Sequence, residues 1–226
     1  MIPIRDTNRS KTFPFVNYLI LALCGGIFLY EVSLGERVEL LVRTYGLTPV
    51  YVSSSLFHGH IGLRPLMTIF TSMFLHGGWL HLIGNMLYLY IFGDNVEDRL
   101  GHRGYLLFYL LAGVGAVLTA VWFQQDSYAP LIGASGAIAG VLGAYFLLYP
   151  RAKILTLIPM FVFFPVVEIP AVFFLGFWFL VQFLQGWLTA GAGGSASGGV
   201  AWWAHIGGFV FGAALLPIFL LARRKG

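Results

Sequence analysis

Charge is the scarcest property of this sequence: 13 basic and 9 acidic residues among 226, or 10%, where a soluble domain carries about 25%. That scarcity excludes an ordinary water-soluble domain. Cysteine is scarcer still. Cys24 stands alone, which excludes an internal disulfide and reads as a small apolar residue in a packed helix. Basic residues never gather into a run suited to a nucleic-acid backbone, so no nucleic-acid partner is expected despite the net charge of +4. What abounds is apolar: 58% of residues are hydrophobic, and the mean hydropathy is +0.83.

A membrane helix needs about 20 apolar residues to cross the hydrocarbon core. With the charges as brackets, six spans are expected at about 13–34, 66–93, 104–123, 131–149, 169–189 and 200–222. The first is too long for a signal-peptide core of about 7–15 residues, and no small-residue cleavage site follows it, so it reads as a retained helix. No acid or base falls between 169 and 222, too long a stretch for one crossing, and a Gly/Ala/Ser run at 191–199 divides it. The apolar stretch 154–167 is short and interrupted by Pro159 and Pro165, so it reads as re-entrant or interfacial. A long loop, 35–64, carries Pro49, Gly59 and Gly62 without strand alternation; loops of that length are often functional. The expected fold is all-α: a polytopic six-helix membrane bundle, one domain over 1–226, with no internal repeat.

Six spans place both termini on one side. If that side is the cytoplasm, Arg5, Arg9, Lys11, Arg99, Arg103, Arg151, Lys153, Arg223, Arg224 and Lys225 lie inside. Only Arg37, Arg43 and Arg64 then lie outside, as the positive-inside rule favours.

With that topology, helices four and six both run outside to inside. Ser135 lies about one turn below the outer surface on helix four, and His205 lies at nearly the same depth on helix six. A hydroxyl and an imidazole are the two parts of a nucleophile–base pair. His205, Gly208 and Gly212 share one helix face; Ser135, Ala139 and Leu142 share another, with Gly136 and Gly140 alongside. Small residues of this kind let membrane helices approach closely enough for the hydroxyl to reach the ring. On helix two, His81 and Asn85 stand at i, i+4 near the outer end, and both can donate to a developing oxyanion. His76, five residues before His81, shapes the start of that helix. Ala137 rules out the Gly-x-Ser-x-Gly elbow, and Lys153, the nearest lysine, sits at the opposite face. Neither cysteine nor an embedded carboxylate accompanies the histidines, so no metal is expected.

These motifs, taken in order, resemble the rhomboid family of intramembrane serine proteases in its compact six-helix prokaryotic form. They are His76-x4-His81-x3-Asn85, Gly93-x3-Glu97-x-Arg99-x-Gly101, Gly133-x-Ser135-Gly136 and Ala204-His205-x2-Gly208-x3-Gly212. The resemblance implies that Ser135 is the nucleophile and His205 its general base, a dyad without a carboxylate. It implies an oxyanion site made by His81, Asn85 and the Ser135 amide, and a turn eased by Gly133. Glu97 and Arg99 would hold the inner end of helix two. The implied partners are transmembrane protein substrates and the bilayer itself, with no cofactor. The implied location is a prokaryotic inner membrane, with the site open to the outer face. Met67-Thr68 stands where the family often has a Trp-Arg pair. Two other readings compete: a catalytically silent relative that binds membrane helices, and a small transporter lined by His81, Asn85 and His205. The transporter calls for mid-membrane carboxylates, which the sequence does not offer there.

Overall fold

The computed structural model describes residues 1–57, 62–191 and 201–223. Part of the 35–64 loop, the 191–199 divider past its first residue, the start of the sixth helix at 200, and Arg224 and Lys225 lie outside the described residues. The chain is a polytopic helical membrane protein. Its helices are α1 (Phe15–Ser33), α2 (Val38–Tyr45), α3 (Pro49–Phe57), α4 (Leu63–Thr71), α5 (Trp79–Leu100), α6 (His102–Phe123), α7 (Ser135–Leu148), α8 (Ala171–Gly191) and α9 (Trp202–Arg223). Among the described residues α1, α6, α8 and α9 are each long and apolar enough to cross a membrane. The α4 segment and α5 meet that test only together, across a 79° bend, and α7 has 14 residues.

The sequence reading placed one helix over 66–93 and another over 131–149; both differ in the structure. The first breaks at 75–78. There Glu31 on α1 accepts the His76 amide at 3.2 Å with both carboxylate oxygens, and Gly77-Gly78 lowers the helix propensity. Captured by a side chain, that amide cannot continue the ladder. The fourth helix starts late because Leu131 instead pairs antiparallel with Leu47, drawing the loop against the α2–α3 connection. The described part of the 35–64 segment is largely helical, holding α2, α3 and a short 3-10 turn at Gly35–Arg37.

A buried polar knot fastens α1 to α5. Glu97, fully buried, accepts the first-turn amides of Val16 (2.9 Å) and Asn17 (2.7 Å). A carboxylate there satisfies orphan donors and opposes the positive end of the helix dipole. Asn17 in turn donates to the Leu89 carbonyl and accepts the Tyr105 hydroxyl at 2.8 Å. At the same end of the bundle, Arg223 on α9 donates to the carbonyls of Asp98 and Arg99.

One element has no counterpart in the all-α expectation. Strands β1 (Ile2–Asp6), β2 (Lys153–Leu157) and β3 (Val166–Pro170) form an antiparallel sheet in that order. The 154–167 stretch is thus mostly a β-hairpin, and its tip leaves Phe161, Val162, Phe163 and Phe164 exposed. Asp6 locks β1 onto the helices by accepting the Tyr145 hydroxyl at 2.5 Å and the Asn95 amide at 3.0 Å. Burial pushes the Asp6 carboxyl up to about 6; the Tyr145 bond opposes that shift and nearby Asp94 adds to it. A carboxyl raised in the folded state favours folding while it stays protonated. Its contribution is full below about pH 4 and is lost as pH rises through about 6. Thermal melts of detergent-solubilised protein should therefore show a downward step between those values that Asp6→Asn removes.

Candidate active site

Ser135 is the first residue of α7, preceded by a loop in which Gly133 donates to the Ser72 carbonyl and takes φ +126°. That φ disfavours a side chain. A Cβ on Gly133 would also stand 2.7 Å from His81 Nε2. Glycine is thus required on two counts, and the loop is free to pass directly beneath the histidine.

The Ser135 hydroxyl lies 2.8 Å from His205 Nε2. Glycine permits the approach. A Cβ on Gly208 would run into the Gly136 carbonyl oxygen, one on Gly212 would sit 2.5 Å from the Gly140 Cα, and one on Gly143 would strike the Phe209 carbonyl. The contact stripe on α7 is therefore Gly136, Gly140 and Gly143. Ala139 and Leu142, grouped with Ser135 on the sequence, are buried in the core beside it.

His81 and Asn85 reach the same place from α5. His81 Nδ1 accepts the Gly77 amide at 3.3 Å, which leaves Nε2 as the protonated nitrogen of the neutral ring, facing Gly133. Asn85 is buried, and its Nδ2 has no hydrogen-bond partner among the described residues. A Cβ on Gly133 would be 3.7 Å from that nitrogen. Two donors with no acceptor among the described residues therefore face Gly133, two residues before the serine, near the first-turn amides of α7, which have no partner within the helix. His76 lies at the break before α5: it is buried, its ring is 5.3 Å from that of His81, and its Nε2 has no partner among the described residues.

A residue that the sequence reading overlooked completes the surroundings. Gln182 on α8 is buried, and its Oε1 lies 2.6 Å from His205 Nδ1. One turn earlier Trp178 sets its ring 6.0 Å from the imidazole, and Trp202 crosses it edge-on at 6.3 Å. The signal was a pair of glutamines, Gln182 and Gln185, in a charge-free span, where a polar group needs a partner. No group of three or more His, Cys, Asp or Glu side chains comes together among the described residues.

The sequence pattern of the Rhomboid domain matches residues 64–222, which takes in every residue of this constellation. The chain belongs to the rhomboid family. It is 32% identical over 150 residues to mitochondrial Rhomboid protein 1 of Saccharomyces cerevisiae, 65% of this chain and 40% of that one. It is 45% identical over 71 residues to chloroplastic Rhomboid-like protein 11 of Arabidopsis thaliana, 31% of this chain and 25% of the relative. RHOMBOID-like protein 6, mitochondrial, of the same plant is 40% identical over 76 residues, 34% of this chain and 24% of the relative. The matches thus cover between a quarter and two fifths of these rhomboid relatives' lengths.

Proposed function

We propose that this rhomboid is an intramembrane serine protease that cuts transmembrane or membrane-anchored proteins. The observation that carries the reading is the 2.8 Å approach of Ser135 Oγ to His205 Nε2 at the head of two packed helices. A serine is a weak nucleophile unless a base stands within hydrogen-bond reach.

In the proposed reaction Ser135 Oγ attacks the scissile carbonyl carbon while His205 Nε2 takes its proton. The negative oxygen of the tetrahedral intermediate accepts hydrogen bonds from His81 Nε2, Asn85 Nδ2 and the Ser135 amide. His205 then gives the proton to the departing amine as the C–N bond breaks, leaving an acyl-serine. Water, deprotonated by the same imidazole, attacks the ester, and the proton returns to Ser135 as the second product leaves. Gly133, Gly136 and Gly208 serve by leaving room, and His76 by shaping the break before α5. No step calls for a cofactor. Charge placement supports cytoplasmic termini and a site open to the outer face; the prokaryotic inner membrane rests on the likeness to compact six-helix rhomboids alone.

Labelling with a fluorophosphonate probe in detergent tests the reading. Wild type should react, and Ser135→Ala and His205→Ala should not. An inert but folded wild type, or a labelled Ser135→Ala protein, would overturn it. Asn85→Ala should lower kcat for a transmembrane substrate by about 100- to 1,000-fold while leaving KM close to its starting value, because one oxyanion donor acts mainly in the transition state. Steady-state cleavage kinetics check this.

A further inference from the structure

We infer that Gln182 is a positioning residue for His205, setting which ring nitrogen carries the proton; the inference rests on the protease reading above for its consequence, though not for its geometry. The Gln182 carbonyl oxygen can only accept, so at 2.6 Å it requires a proton on His205 Nδ1. A neutral imidazole has one N–H, and Nε2 is then left with its lone pair directed at the Ser135 hydroxyl. The opposite tautomer would present Nε2–H to Ser135 Oγ and could not take the serine's proton. A buried neutral amide thus does the orienting that a carboxylate does in a serine triad.

The surroundings favour an orienting role over mere satisfaction of a buried amide. Trp178 and Gln182 stand at i and i+4 on α8, so a single helix face supplies both the acceptor for the ring edge and a tilted indole beside the ring. Trp202 bounds the ring on another side. Two indoles thus border the imidazole, and one oxygen fixes its tautomer. When the ring becomes doubly protonated during catalysis, the same oxygen still accepts from Nδ1, so the geometry survives the proton transfer.

The test separates this role from packing. Gln182→Leu suits an apolar span and should melt within a few degrees of wild type, yet its kcat should fall by at least about tenfold with KM little changed. Gln182→Glu keeps an acceptor at Nδ1 and should recover most of that loss; a residue that only fills space would rank the two variants the other way. The 15N spectrum of histidine-labelled protein gives the direct readout, using the ring signals that vanish in His205→Ala. Wild type should show a protonated Nδ1 and a bare Nε2, and Gln182→Leu should lose that preference. Wild-type kcat in Gln182→Leu, no recovery in a stably folded Gln182→Glu, or a wild-type ring protonated on Nε2 would overturn the inference. Because the spectrum needs no substrate, it also separates the two failures. A protein inert to fluorophosphonate whose His205 tautomer still depends on Gln182 would refute the protease and leave the positioning intact.

Discussion

If the proposed reaction holds, Ser135→Ala and His205→Ala should each lower cleavage of a transmembrane substrate by about 10,000-fold or more, and the double variant should be no worse than either alone. In that reaction the hydroxyl and the ring would act as one unit, so removing either would disable proton transfer and attack together. The residual rate, from the oxyanion donors and substrate binding, should be common to all three proteins. The stability of Ser135→Ala should hardly change, because Ser135 is half-buried at a helix end and the alanine keeps the α7 backbone in place. Single-turnover cleavage and thermal melts on the same preparations check both halves. A Ser135→Ala protein that still cleaves would show that another nucleophile operates.

Gly212→Ala should cost the protein about 3 kcal/mol or more of stability. The new Cβ would sit 2.5 Å from the Gly140 Cα and closer still to that residue's carbonyl oxygen. Backbone cannot swing aside as a side chain can, so α7 and α9 must separate. Separation by even 1 Å lengthens the Ser135–His205 contact from 2.8 Å and should reduce cleavage about 100-fold in whatever protein still folds. Gly176→Ala is the matched control. Nothing lies within 4 Å of its added methyl on α8, and replacing a mid-helix glycine there should be neutral or stabilising by up to about 1 kcal/mol. If the Gly212 and Gly176 variants melt alike, close packing is not what holds the two helices.

Much of this was legible in the sequence because a bilayer imposes long apolar runs and makes polar residues conspicuous. The helices carrying Ser135 and His205, and the glycine that lets them meet, follow from spacing alone. Where the reading went astray, a tertiary partner had overridden a local pattern. The apolar run through 66–93 gives no hint that Glu31, some 45 positions earlier, captures the His76 amide and bends the chain. The three-stranded sheet joins residues 2–6 to 153–170, and no local periodicity announces a pairing across that separation. Gln182 was visible as a polar residue in an apolar span, but its partner is His205 on the next helix, and only the fold brings them together.

The meshing of Gly136, Gly140 and Gly143 with Gly208, Gly212 and the Phe209 backbone has a mechanical consequence. Helices interlocked backbone to backbone cannot slide by small amounts, since each intermediate offset drives a carbonyl into a Cα. The next position that meshes lies a full turn away, about 5.4 Å along the axis. The dyad therefore sits in a detent: α7 and α9 hold the hydroxyl and imidazole either engaged or a whole notch apart. Any motion that admits a long substrate must be taken up by helices outside this pair, as the strings of an instrument move while its frame keeps them in tune.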